Sequence, residues 1–159
     1  MNEDTQTKIT ELINKSEIIS VVNSYYRALD EKNFDLNHFA TIFTSDAKVV
    51  RPNGVAMTGP EEVCASHQKS FTRFEGTQHL LTGHDVSITD YTAKVRANLI
   101  AMHMWQGSNT DASKADNYFV AGGVIDTELV QSGGRWKISF ASNAVVWRAG
   151  AFKTMLQTK

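Results

Sequence analysis

Cysteine is nearly absent. Of 159 residues only Cys64 carries a thiol, so no internal disulfide can form, and a reducing, cytoplasmic setting is expected. A chain of this length buries about 68–70% of its unfolded surface and folds without such a cross-link. No apolar run reaches the roughly 18 residues that suggest a membrane-spanning helix, so no membrane association is expected. The opening MNEDTQTK is polar and partly acidic, unlike the basic start and apolar core of a secretory signal. Neither charge sign dominates: 16 basic side chains face 17 acidic ones, for a net charge of −1. Nucleic-acid binding leaves a basic footprint, which is missing, so function is expected in a pocket. There is no HExxH or other closely spaced ligand motif, and no metal or other cofactor is expected.

What is present is an apolar fraction of 42% with clear periodicity. Residues 1–8 read as a flexible leader and 9–159 as one domain. Ile9, Leu12, Ile13, Ile19, Val22, Tyr26 and Leu29 recur at helical spacing and predict a helix from about Ile9 to about Glu31. A short helix over Leu36–Phe43 follows, then a turn at Thr44–Asp46. A hairpin of Ala47–Arg51 with Val55–Thr58 is built around Pro52, Asn53 and Gly54. Gly59 and Pro60 open a third helix that reaches about Phe71, with Glu61 and Glu62 suited to its first turn. From Thr77 the period becomes two. Strands are predicted over Thr77–Ile88, Thr92–Trp105, Tyr118–Val130 and Arg135 to about Ala149, with a polar loop over Gln106–Asn117. Helices first and a largely antiparallel meander afterwards make an α+β fold. The expectation is a cone in which a strongly curved mixed or antiparallel sheet wraps the N-terminal helices, and ligands favour the mouths of such cones.

Ionisable groups on apolar faces are the informative residues. His103 is the one such group on the Ala93–Val95–Ala97–Leu99–Ala101 face of its strand, and reads either as a core histidine or as part of a site. Strict alternation places His79 and His84 on opposite faces unless a bulge intervenes, which argues against a chelating pair. His38 and His67 read as surface residues of helices. On the last strand Trp136, Ile138, Phe140, Ser142, Ala144, Val146 and Arg148 share one face. An inward Arg148 needs a carboxylate or an anionic ligand, the alternative being a snorkelling or interface position. In YYRALD, Tyr26 and Asp30 lie one helical turn apart, and an acid near a helix C-terminus is disfavoured unless it has a partner.

The segments YYRALDEKNFD, FTSDAKV, GPEEV, TQHLLTGHDVSI, AKVRANLIAMH and DTELVQSGGRWKISFASNAVVWRAG, in that order, resemble the SnoaL-like branch of the nuclear transport factor 2-like superfamily. That branch includes scytalone dehydratase and bile-acid 7α-dehydratase, and the resemblance runs from about Ile18 to Gly150. It implies that Tyr25, Asp30 and His79 occupy the positions of a catalytic tyrosine, aspartate and histidine. It also implies that His103 stands where a second pocket histidine would, and that Arg148, after Trp147, lies at the mouth. The asparagine or tyrosine that those families place on the next strand has no counterpart in Gly122, Gly123 and Val124. A homo-oligomer, dimer or trimer, is implied too, through the open sheet face with Trp105 or Trp147.

The resulting expectation is a cofactor-independent, dehydratase-like lyase or isomerase acting on a hydrophobic, carbonyl-bearing small molecule. In it His79 is the general base, Asp30 fixes its tautomer, and Tyr25, with Tyr26 as the alternative, donates to the carbonyl oxygen. His103 would return a proton to a departing hydroxyl, and Arg148 would bind an acidic or phenolate group. Phe43, Phe71, Trp105 and Phe140 are expected as walls. Asp30, His79 and His103 could in principle form a two-histidine, one-carboxylate metal site, which is disfavoured for want of a motif. A non-catalytic ligand-binding or dimerisation module of the same fold is the rival.

Overall fold

The computed structural model describes residues 2–152. Helix α1 (Glu3–Asp30) begins six residues before the expected start at Ile9, because the Asn2 side chain accepts a hydrogen bond from the Thr5 N–H at 2.8 Å and Glu3 and Asp4 suit the positive end of the dipole. Its C-terminal half supplies the buried face, with Ile18, Val22, Tyr25, Tyr26 and Leu29 in the core. Ile9, Leu12 and Ile13, on the same stripe, are exposed. The helix ends where Lys32 turns to a positive φ of 51° and the Asn33 N–H reaches back to the Ala28 carbonyl. This places Asp30 in the last turn, and the Lys32 ammonium ties the corner down on the Phe74 carbonyl at 2.7 Å.

Helix α2 (Leu36–Ile42), capped by Asp35, runs directly into β1 (Phe43–Val50), so the turn expected at Thr44–Asp46 is strand. β2 (Ala56–Thr58) folds back on it. Helix α3 (Gly59–Phe71) starts at Gly59, whose φ of 77° brings its α-carbon so close to the Ser45 carbonyl that a Cβ would sit 2.8 Å from that oxygen. The long strands are β3 (Phe74–Thr89), β4 (Thr92–Trp105), β5 (Tyr118–Ser132) and β6 (Arg135–Gly150), with a 3₁₀ turn at Ala115–Asn117 before β5. The sheet order is β2-β1-β6-β5-β4-β3. All pairs are antiparallel except β1 with β6, which makes the sheet mixed. Three helices against an open six-stranded sheet give the cone-like α+β architecture. No helix among the described residues is long and apolar enough to cross a membrane.

Two bulges decide which side chains of β6 face inward. Between Leu129↔Ile138 and Glu128↔Phe140 the strand carries one extra residue, Ser139, and between Gly123↔Val145 and Gly122↔Trp147 another, Val146. Each reverses the alternation. Simple parity therefore holds for Trp136 and Ile138, fails over the middle, where Ala141, Asn143 and Val145 face the interior, and is restored at Arg148.

Candidate functional site

The C-terminal turn of α1 meets edge strand β3 at Asp30. Its Oδ1 lies 2.6 Å from His79 Nδ1 and accepts the Thr77 hydroxyl at 2.8 Å, while Oδ2 accepts the His79 backbone N–H at 2.9 Å. Burial alone would raise this carboxyl. The hydrogen bonds and charge of His79, with the Thr77 hydroxyl, outweigh it and hold Asp30 below the usual carboxylate range. An ionised carboxylate only accepts, so His79 Nδ1 carries a proton, and in the neutral ring Nε2 is then the nitrogen with the free lone pair. The side chain is 6% exposed. The acid disfavoured at a helix C-terminus thus has its partners.

A second chain of hydrogen bonds links α1, α3 and β1. The Tyr25 hydroxyl is 2.7 Å from His67 Nε2, and Arg51 Nη2 is 3.2 Å from His67 Nδ1. Arg51 Nη1 donates to Ser70 Oγ at 2.7 Å. His67, expected at the surface, is instead 6% exposed. Burial, then the charges of Arg51 and His79, push it down to about 3, so it is neutral. A guanidinium can only donate, which makes Nδ1 the acceptor and puts the single proton on Nε2. Tyr25 therefore receives a hydrogen bond from His67 and keeps its own proton. Burial raises the phenol above its ordinary range, so it stays un-ionised.

Tyr25, Arg51, His67, Ser70 and His79 line a cavity of about 990 Å³ between helices and sheet, together with Tyr26, Leu29, Phe71, Phe74, Leu99, Ala101, Phe119, Asn143 and Arg148. The Tyr26 ring is 5.5 Å from that of His79. His103 is stacked on Phe119 (4.2 Å, 7°), with its ring 5.5 Å from His79 and its Nδ1 buried without a partner. Burial, then the nearby His79, push it down to about 3. It is neutral at pH 7 and can offer a hydrogen bond, but it holds no imidazolium proton to give. Arg148 stands at the rim with its guanidinium 4.3 Å over the Phe152 ring.

Three of the expected walls lie elsewhere. Phe43 is 1% exposed and packs in the core behind Tyr25, at 5.0 Å, and against Phe39. Trp105 lies against Phe74 and Phe119, which take its place on the wall. Phe140 is turned out of the cavity by the bulge at Ser139 and lies beside Asp85 and Lys94 on another surface. The same bulge brings in Asn143, whose Oδ1 is buried without a partner. A bulge between Thr82 and Asp85 also intervenes between the two histidines of β3, and His84 does not line the cavity. Sequence reasoning missed Arg51, His67, Ser70, Thr77 and Asn143. The one available signal was the i, i+3 spacing of His67 and Ser70 on one helix. Among the described residues, no cluster of three or more His, Cys, Asp or Glu is arranged to hold a metal ion.

The family model of the SnoaL-like domain matches residues 10–142. The chain belongs to the SnoaL-like domain family. This places the SnoaL-like chain in the nuclear transport factor 2-like superfamily, and the cone agrees with that of solved structures. The Kfla4162 protein from Kribbella flavida superposes with a TM-score of 0.79 at 23% identity, covering 89% of this chain and 96% of that one. A scytalone dehydratase-like protein from Novosphingobium aromaticivorans gives 0.75 at 19% identity, covering 90% and 91%. The hexachlorocyclohexane dehydrochlorinase LinA-type3 from Novosphingobium barchaimii gives 0.76 at 14% identity, covering 90% and 93%. At these identities the likeness is one of fold. A comparison with curated protein sequences finds no match.

Proposed function

We propose that this SnoaL-like protein is a cofactor-independent lyase or isomerase that removes a proton from carbon next to a carbonyl in a hydrophobic small molecule. The observation that carries the proposal is the Asp30 clamp on both the Nδ1–H and the backbone N–H of His79, so that in the neutral ring Nε2 is the base at a largely apolar cavity. His79 Nε2 takes the proton, and the C–H electron pair becomes an enolate. Asp30 stabilises the imidazolium, and the Tyr25 hydroxyl, its proton not used by His67, donates to the enolate oxygen. Return of the electron pair expels a β-hydroxyl, which leaves as water with the proton that His79 took. Delivery of that proton to another carbon instead gives an isomer. Tyr26 is the alternative donor. His103 adds a neutral hydrogen bond near the leaving group, and Phe71 and Arg148 hold the substrate at the wall and rim. A homodimer would use the outer sheet face, where Leu80, Ile100 and Trp147 are exposed.

Proton abstraction can be tested without knowing the natural substrate. The wild type should catalyse deuterium uptake from D₂O into the α-carbons of 2-tetralone, followed by NMR. The His79→Ala variant should lose about 10²–10⁴-fold in that rate while its thermal midpoint hardly moves. Exchange at the wild-type rate in the variant removes His79 as the base. A wild type that binds the ketone and exchanges nothing favours a ligand-binding module.

A further inference from the structure

Charge on the cavity wall is one-sided. Arg51, Lys69, Arg73 and Arg148 line it and no acidic side chain does; Asp30 stands behind His79. The chain as a whole is balanced, 16 against 17, so the excess is local. Lys69 and Arg148 are exposed, and Arg51 is not. It is half-buried, and no carboxylate pairs with it among the described residues. Two of its five N–H donors meet neutral acceptors, Ser70 Oγ and His67 Nδ1, and its Nε–H is buried without any partner. A second guanidinium is anchored beside it: Arg73 Nε donates to the Ser70 carbonyl at 3.4 Å, so one serine takes hydrogen bonds from both. Burial disfavours the Arg51 cation, Tyr25 opposes that effect, and the like charge of Arg73 adds a smaller push in the same direction as burial. A half-buried guanidinium with neutral partners and a like charge nearby is incomplete without an anion, and its planar fork matches a carboxylate.

We propose that the ligand of this cavity is a hydrophobic carboxylic acid whose carboxylate docks on Arg51, at the α3 side of the wall, one imidazole ring beyond the Tyr25 hydroxyl. This rests on the proposed function only in taking the cavity as the substrate site. It adds the substrate class: a molecule with a carbonyl at Tyr25 and an acid group at Arg51.

The test is calorimetric, with two probes of similar shape, 2-naphthoate, ionised at pH 7, and the neutral 2-acetylnaphthalene. Wild type should bind the naphthoate more tightly by about tenfold or more, the size of one charge-assisted hydrogen bond. Arg51→Gln should lose that preference, and Arg51→Lys, which keeps the charge without the fork, should retain part of it. His79→Gln should keep it in full while losing deuterium exchange, which separates failure of the base from failure of the subsite. Equal affinity for the two probes in the wild type, or binding of neither, overturns the proposal. So does a preference that survives Arg51→Gln but vanishes in Arg148→Gln, since the anion would then sit at the rim.

Discussion

Two buried histidines of the cavity wall, His67 and His103, should make the fold acid-sensitive well above the range in which carboxylates titrate. An unfolded histidine titrates near pH 6.5. His67 and His103 are both pushed down to about 3, chiefly by burial. Between these limits the unfolded chain binds protons that the folded chain refuses, so stability falls as pH falls. Each withheld proton costs about 1.4 kcal/mol per pH unit once pH is below about 6.5. From pH 7 to pH 5 the loss is about 2 kcal/mol per histidine, a large part of the roughly 5–15 kcal/mol that holds a domain together. Asp30 acts elsewhere: its lowered carboxyl gives stability that is present above the ordinary aspartate range and lost as pH falls through the lower folded value. His84, also lowered by burial, adds in the same sense as His67 and His103, so a variant is needed to isolate one group. His103→Phe keeps the stack on Phe119 and removes the titration; it also gives up the ring's contact with the Ala101 backbone, a loss that does not vary with pH in the variant. Urea unfolding at half-unit steps should show the stability difference between variant and wild type moving by about 2 kcal/mol in the variant's favour from pH 7 to pH 5. A difference that stays constant across that range would refute the assignment of a neutral, buried His103.

The remaining predictions concern the reaction. Asp30→Asn keeps an acceptor and the shape but not the charge. It should lower the rate of 2-tetralone exchange by about 10²–10⁴-fold with little change in KM, and a wild-type rate would remove Asp30 from the mechanism. Tyr25→Phe should cost about 10²–10³-fold in the same assay, and Tyr26→Phe much less; the reverse order would make Tyr26 the oxyanion donor.

How much of this was legible in the sequence depends on how local the deciding interaction is. The helices and long strands were legible because 3.6- and 2-residue periods are properties of adjacent positions. The extra turns at the start of α1 were not, because they rest on a cap at Asn2 rather than on an apolar stripe. Asp30 and His79 were placed by resemblance and by the oddity of an acid at a helix end, and the structure brings them together. Phe140 was misplaced for the opposite reason. A single inserted residue, Ser139, inverts the alternation from there to the next bulge, and nothing in RWKISFASN marks it. Arg148 faces the cavity because a second insertion at Val146 cancels the first, so correct parity there came from two unseen reversals. His67 was unreadable as a site residue because its partners Tyr25 and Arg51 lie 42 and 16 positions away.

The cationic wall and the neutral histidines belong to one electrostatic arrangement. Asp30, behind His79, orients the proposed base without presenting a negative charge to the cavity. On the other side Arg51 adds like charge to a His67 that burial has already made neutral, and its donors fix the proton of His67 on Nε2. In the proposed reaction that tautomer leaves the Tyr25 proton for the substrate carbonyl. Arg51 therefore has two roles that a neutral substrate can separate. 2-Tetralone has no carboxylate to dock, so an Arg51 that served only as an anion site would be irrelevant to its exchange. If Arg51 also sets the tautomer, Arg51→Gln should slow the exchange of 2-tetralone, through a Gln side chain that can donate to or accept from Nδ1. The loss should fall on kcat more than on KM, because a donor aimed at the enolate acts in the transition state. Unchanged kcat with the neutral ketone would leave Arg51 as an anion site alone, and would return the tautomer of His67 to its other contacts.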